Sequence, residues 1–453
     1  MTLFYSTNRS VPHVALDHAL LQGQAGDKGL YMPQNIPEMN SEFLRKAASM
    51  KYPELAAAVL APYAEKVFTH GELEEICHDA YDFDVPLEKV TAKSHVMRLD
   101  RGPTASFKDF AARFMGRALG RLVQRRGKGL LILTATSGDT GSAISHAFLG
   151  VKNIQTLVLF PREEVSDRQR KQMTTLGDNV ATVAVDGKFD DCQALVKQAF
   201  ADPDLVDLNL SSANSINIGR LLPQSVYYIY SATRLADSAG GEKVVFSVPS
   251  GNFGDLLGGV LAFKSGLPVE RFVVATNAND EVPKFLETGV YKKIVPSRVC
   301  ISNAMNVGHP SNLARLVDLY GGWMDETGVL KEKPDMESMR KDFFGISISD
   351  EKTRETIGRV YKDHSTMLEP HGAVGWAGLE NYLERYPESA NNTSISLETA
   401  HPAKFPEEIQ AVCGVDPSLP PSLEGLEDKK ESYGEMEVDY RSFKELLRKG
   451  YGS

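Results

Sequence analysis

The chain reads as an α/β protein, with two doubly wound lobes of parallel sheet between helices and an N-terminal lobe that is mostly helical. Three observations predict this. From about residue 96 onward, apolar strand-like runs alternate with helical stretches; two of those strands end in Gly-rich turns that open helices; and residues 1–95 lack such runs. A length of 453 residues suits two or three compact lobes, and 42% hydrophobic with 24% charged residues is the ordinary mix for a sizeable core.

The N-terminal lobe, 1–95, carries amphipathic segments such as Ser41 to Met50 and Glu54 to Leu60, separated by turns. The first α/β lobe, 96–237, runs through strand Leu130 to Thr134, a helix, strand Thr156 to Phe160, helix Ser166 to Leu176, strand Val180 to Val185 and helix Cys192 to Phe200. A polar helix ends near Asp237, and the turn Ser238 to Gly241 leads into the second lobe, 238–453. There, strand Val244 to Val248 enters a Gly-rich turn and a helix, and strand Arg271 to Ala275 follows. Ser422 to Glu437, rich in Glu, Asp, Lys, Ser and Gly, reads as a solvated linker before a terminal helix, Tyr440 to Lys449.

Fifty Lys and Arg against sixty Asp and Glu give a formal charge of −10, the wrong sign for a nucleic-acid partner. A small phosphorylated ligand remains open, because backbone N–H groups and a few Arg or Lys inside a cleft can meet its charge locally. Cys77, Cys192, Cys300 and Cys413 form no CxxC pair, and His, Cys and carboxylates show no metal-ligand spacing, so neither a disulfide framework nor a metal site is expected. No apolar run approaches the roughly 18 residues of a membrane span, and no basic stretch precedes an apolar core at the start. The expectation is a cytoplasmic protein without nucleic-acid or membrane partners.

Three segments can carry chemistry. In VVFSVPSGNFGDLLGGVLAF a strand ends at Pro249 and a helix begins near Asp255, with Gly251 and Gly254 between. Glycines allow close backbone approach and a helix N-terminus offers unpaired N–H groups, which together suit a phosphate; a plain strand-to-helix turn uses glycine for the same steric reasons. In ILTATSGDTGSAISHAF, residues Thr136 to Gly141 form a second such turn, where Ser137 or Asp139 either meets an anion or simply caps the helix. In GPTASFKDFAARFMGRAL, Lys108 stands between Phe107 and Phe110. A helix-surface lysine is the plain alternative to a desolvated amine able to attack a carbonyl.

Taken together, these segments resemble the threonine synthases, of the longer bacterial and fungal kind, among the fold-type II (tryptophan synthase β-like) enzymes dependent on pyridoxal 5'-phosphate. The resemblance runs nearly end to end. FYSTNRS and DKGLYMP open the chain; GPTASFKDFAARFM, TSGDTGSA, NSINIGR, PSGNFGD and VATNANDEVPKFLETG occupy its centre; SNAMNVGHPSN and TAHPAKFPE come later. It implies that Lys108 holds the cofactor as a Schiff base. It also implies that Gly251, Asn252, Phe253, Gly254 and Asp255 surround the cofactor phosphate, and that the Thr399 hydroxyl faces the pyridine nitrogen. Ser137, Asp139 and Thr140 of the TSGDTG turn, with Asn217 and Arg220 of NSINIGR, are the candidates for the substrate phosphate. Arg101 stands where relatives commonly have His, and is read as a surface replacement in preference to an added anion contact.

The activity so implied converts O-phospho-L-homoserine and water to L-threonine and phosphate by elimination and β-addition of water, in a monomer or homodimer. Two alternatives accompany it: a related phospholyase that ends at 2-oxobutyrate, and a catalytically silent cofactor-binding regulator.

Overall fold

The computed structural model describes residues 2–452. Its frame is two parallel sheets. The larger runs in the order Phe343–Ser347, Val269–Thr276, Val244–Pro249, Ser394–Glu398, Ser94–Arg98, Leu87–Lys89, and only the last pairing is antiparallel. The smaller runs Gly434–Glu437, Val180–Asp186, Ile154–Pro161, Leu130–Ala135, Leu210–Ser211, parallel throughout. Leu130–Ala135 and Val244–Pro249 are buried along their whole length, which is why they read as continuous apolar runs and not as an alternation. Both central strands therefore have helices on each face.

The N-terminal region pairs Phe4–Ser6 with Tyr31–Pro33 and adds helices Leu16–Gln22, Ser41–Ala47, Tyr52–Ala64 and His70–Ala80. The last begins at a capping box in which Thr69 accepts from the Glu72 N–H and Glu72 accepts from that of Thr69. Leu55, Leu60, Leu73 and Ile76 join the same core as Phe110, Leu119 and Phe246, so this region packs on the α/β frame and shares its core. Helix Lys108–Arg126 lies against helix Asp139–Phe148 so closely that a Cβ at Gly116 would sit 2.3 Å from the Ala147 carbonyl oxygen. That contact brings the middle of the first helix against the C-terminal end of the second.

Sheet membership does not follow the segments 96–237 and 238–453. Leu87–Lys89 and Ser94–Arg98 pair into the larger sheet beside Ser394–Glu398, and Gly434–Glu437 pairs with Val180–Asp186 in the smaller one. The order of strands along the chain is a local property of the sequence, whereas the sheet each strand enters depends on tertiary packing. The end of the stretch read as linker is thus an edge strand, its exposed Glu435 and Glu437 in keeping with the charges that protect sheet edges. The helix before Asp237 is Ser225–Leu235, and it is mostly buried where a polar helix was expected; Tyr227 and Tyr228 are covered completely.

The terminal helix Tyr440–Tyr451 presses Phe443 and Leu447 into the core of the smaller sheet with Leu131, Val183 and Leu195. Both side chains are fully buried. Phe443→Ala should therefore cost about 3–5 kcal/mol, the range for emptying a buried phenylalanine site. Denaturant unfolding measures this, and a loss under about 0.5 kcal/mol, the range of ordinary surface changes, would mean that the helix is not part of the core.

Candidate active site

Two helix N-termini and one lysine define the site. The strand Leu130–Ala135 ends in the turn that opens helix Asp139–Phe148, and Val244–Pro249 ends in the turn that opens helix Gly254–Lys264. Both turns lie at the carboxyl ends of central parallel strands, the edge where doubly wound folds bind ligands. Lys108 opens helix Lys108–Arg126 and is reached from Ser94–Arg98 through the loop 99–107. That loop is stitched to the segment after Ser394–Glu398: Leu99 N–H donates to Glu398 O at 3.0 Å, Phe107 N–H to Thr399 O at 2.9 Å, and His401 N–H to Ala105 O at 3.0 Å. Ala105 takes a left-handed φ of 54°, which a small side chain tolerates better than a branched one.

At the second turn, among the described residues, no protein acceptor takes the backbone N–H of Gly251, Asn252, Phe253, Gly254 or Asp255. The Asn252 side chain pins this cradle, its amide donating to Ser215 Oγ at 2.5 Å and its oxygen accepting from Ser311 N–H at 2.7 Å. Phe253 sits at φ 64°, and a Cβ at Gly251 would lie 2.8 Å from Met305 Cα. The Asp255 carboxylate turns inward to accept from the Tyr227 and Tyr228 hydroxyls at 2.6 and 2.7 Å, and burial pushes its pKa up to about 6. Asp255 thus supports the turn through Oδ1, while Oδ2 is buried without a protein partner among the described residues.

The first turn is built the same way. Thr136 Oγ1 accepts from Gly138 N–H at 2.9 Å and Gly141 N–H at 2.8 Å, leaving the N–H groups of Ser137, Asp139 and Thr140 without protein acceptors among the described residues. The Ser137 and Thr140 side chains are half-buried. Gly138 has φ 132°, and a Cβ there would collide with the Gln169 amide. Asp139 turns its carboxylate away from the cradle: Oδ1 accepts from Lys404 Nζ at 2.6 Å and Gln169 Nε2 at 2.9 Å, and Oδ2 lies 3.7 Å from Lys108 Nζ.

Lys108 is largely buried and lies 4.7 Å from the Phe107 ring centroid. Its pKa is lowered, chiefly by burial; Asp139 pulls against that most strongly, the charges of Lys404 and Arg220 add to the lowering, and Glu369 opposes it weakly. Arg220 is 3% exposed and has no carboxylate partner among the described residues; Nη1 donates to Ala213 O at 2.9 Å and Nε is unpaired. Burial pushes its pKa down to about 10. Asn217 serves differently from Arg220: its amide donates to Leu20 O and Ser212 O and its oxygen caps Gly219 N–H, so every polar atom of the side chain is engaged in holding the chain. That is a correction to the anion-binding expectation for Asn217. Thr399 Oγ1 lies 3.3 Å from Glu369 Oε1, to which it donates.

Arg101 is 44% exposed, with Nε 3.5 Å from Asp100, as suits a surface replacement. The sequence reading missed Lys404, Gln169, Glu369 and the Tyr227–Tyr228 pair. Lys404 lies in the quoted string TAHPAKFPE, but no local signal distinguishes a buried lysine from an exposed one.

Three family models match: "Threonine synthase N terminus" over residues 3–81, "Pyridoxal-phosphate dependent enzyme" over 85–395, and "Threonine synthase, C-terminal" over 372–447. The chain is 38% identical over 451 residues to the threonine synthase of Haemophilus influenzae, covering 98% of this chain and 99% of that protein. The crystal structure of PLP-bound threonine synthase from Brucella melitensis superposes with a TM-score of 0.92 at 34% identity, covering both chains in full at 100%. That of the yeast threonine synthase superposes with a TM-score of 0.90 at 32% identity, covering 98% of each chain.

An unpaired buried guanidinium is costly until an anion meets it. Arg220→Met should leave stability unchanged or raise it, since it removes a buried charge that no carboxylate meets. Phosphate at about a hundred times its dissociation constant should stabilise the parent chain by about 2.7 kcal/mol and the variant less. Equal stabilisation of both proteins in a thermal-shift titration would remove Arg220 from the anion site.

Proposed function

Because the chain belongs to the threonine synthase family of pyridoxal-phosphate-dependent enzymes, we propose that Lys108 and the two helix N-termini beside it convert O-phospho-L-homoserine and water to L-threonine and phosphate. The observation that carries this is one desolvated lysine served by two separate anion cradles. Two cradles suit two phosphates, one on the cofactor and one on the substrate.

The residues present suit pyridoxal phosphate. Lys108 is the amine for its aldehyde, the free N–H groups of Gly251 to Asp255 suit its phosphate, and the Thr399 hydroxyl, backed by Glu369, suits its ring nitrogen. When bound, the cofactor supplies the electron sink for carbanion chemistry. A hydroxyl at Thr399 in place of a carboxylate tunes that sink differently from one held protonated by an anion.

With the cofactor in place, the free Lys108 amine would take the Cα proton and one Cβ proton, and return protons to Cγ once phosphate has left and to Cα once water has added. A lysine does this at neutral pH only if a fraction of it is the free amine, and burial beside Lys404 and Arg220 favours that form. Arg220 and the N–H groups of Ser137, Asp139 and Thr140, with the half-buried Ser137 and Thr140 hydroxyls, receive the departing γ-phosphate. The helix N-terminus favours the charge that accumulates on that leaving group. Water then adds at Cβ. The four unpaired cysteines suit a reducing, cytoplasmic setting.

Purified protein should be yellow, and borohydride reduction followed by peptide mapping should place the cofactor on Lys108; recovery on another lysine refutes the assignment. Incubation with O-phosphohomoserine should yield threonine, whereas 2-oxobutyrate as the main product would favour the phospholyase reading. Arg220→Ala should lower kcat/KM by roughly ten- to a hundredfold, the loss of a charge-assisted phosphate contact, with poor rescue by lysine, which lacks the planar fork.

A further inference from the structure

Asp139 is one carboxylate shared between two lysines, and it is shared unequally. Its Oδ1 takes Lys404 Nζ at 2.6 Å together with the Gln169 amide at 2.9 Å, while Oδ2 stands 3.7 Å from Lys108 Nζ, beyond hydrogen-bond reach. Lys404 comes from the short turn Pro402–Lys404, on the far side of the seam between the sheets, and its Nζ also donates to Thr104 O at 3.0 Å. Its side chain is 0% exposed while that of Lys108 is 12% exposed. Lys404 therefore lies behind Asp139 and out of reach of a ligand that Lys108 touches.

We propose that Lys404 is a positioning residue that acts through Asp139: by taking most of the carboxylate's charge from behind at 2.6 Å, it weakens the 3.7 Å ion pair between Asp139 and Lys108 and keeps Lys108 available as a free amine. The proposal rests on Lys108 being the catalytic lysine. An unscreened aspartate 3.7 Å away would favour the ammonium form, which can neither attack an aldehyde nor accept a proton from Cα. The other charged groups that face Lys108 are Arg220 from helix Ile218–Leu221, Glu369 at the cap of helix Pro370–Arg385 and Asp255 from helix Gly254–Lys264. Arg220 opposes the two acids. The balance therefore turns on whether Asp139 is already neutralised, and burial beside Lys404 acts on Lys108 in the same direction.

The test uses two readouts on the full-length chain. One is the pH profile of kcat in the holoenzyme. The other is competitive acylation of the same chain after cofactor removal, with peptide mapping to follow the titration of Lys108. In Lys404→Met the charge of Asp139 falls to Lys108, so the Lys108 midpoint and the acidic limb of kcat should both move up by about one pH unit or more, a tenfold loss of free amine per unit. KM should change less than kcat. Lys404→Arg keeps the charge and should retain the parent midpoint.

If Lys404→Met does not fold, the neutral pair Asp139→Asn with Lys404→Gln decides. Removing a mutually neutralised pair should move the Lys108 midpoint by less than about half a unit, whereas removing an aspartate that Lys108 senses alone should lower it by about a unit or more. A lowered midpoint in the neutral pair, or a parent midpoint in a folded Lys404→Met, overturns the proposal. Borohydride mapping is independent of both, so a misassigned catalytic lysine and a passive Lys404 give different results.

Discussion

The structure turns on one constraint, the burial of the Lys108 amine beside a carboxylate, Asp139, that a second lysine, Lys404, holds more closely. Burial alone would place Lys108 at any depth in the core, but a useful position also needs an open face toward a ligand. The chain solves this by starting a helix at Lys108 and binding the preceding loop to the segment 398–401 through backbone hydrogen bonds on both sides of Ala105. The Leu99–Glu398 bond continues the parallel pair Ser94–Arg98 and Ser394–Glu398, and the other two close an antiparallel bridge between Ser106 and Ala400, so the lysine is fixed by the segments that leave the larger sheet. A site carried on such an element holds its geometry better than one on a free loop.

Charge bookkeeping separates ligand-facing residues from structural ones. Arg315 and Arg220 are both buried arginines without carboxylate partners among the described residues, yet they differ in what their nitrogens do. Arg315 donates from all three side-chain nitrogens, to Tyr31 O, Ser215 O, Ile216 O and Asn312 Oδ1. It is spent on holding the N-terminal region to the frame. Arg220 has one carbonyl contact and an unpaired Nε, so its fork remains available. Arg98 shows the opposite arrangement, with Glu88 at 2.8 Å and Glu398 at 3.4 Å, and it holds the strand that leads to Lys108. Of the three, only Arg220 retains the capacity to bind an anion.

The central strands and both turns were legible in the sequence because they depend on local signals. Val244–Pro249 and Leu130–Ala135 are continuous apolar runs ended by Gly-containing turns, and each was placed to within a residue. The burial of Lys108 was legible from its apolar neighbours. What stayed hidden depends on contacts between distant segments. Gly434–Glu437 is polar and forms a strand only because Val180–Asp186 offers it a ladder; Ser225–Leu235 reads as polar because its tyrosine hydroxyls satisfy one another's neighbour, Asp255, inside the core. Asn217 has the side chain of an anion ligand and the surroundings of a helix cap, which no spacing rule separates.

The interleaving of the two sheets bears on function as well as topology. Helix Asp167–Thr174 belongs to the smaller sheet, yet Arg168 donates to Ala403 O and Gln172 Nε2 to Thr104 O at 3.1 Å, both beside the Lys108 loop. The same helix supplies Gln169 to Asp139 and is tied to the C-terminal region by Arg170 with Glu431 and by Ser432 N–H with Thr174 O. Any shift of the smaller sheet against the larger must therefore pass through residues that orient Asp139 and the first anion cradle. Because the first cradle opens from the smaller sheet and Lys108 is held by the segment that continues the larger one, the relative position of the two sheets sets the distance between cradle and amine. The C-terminal stretch read as a linker joins the same seam: Glu427 pairs with Arg168 and Glu431 with Arg170, on the helix whose Gln169 holds Asp139, before Gly434–Glu437 enters the smaller sheet.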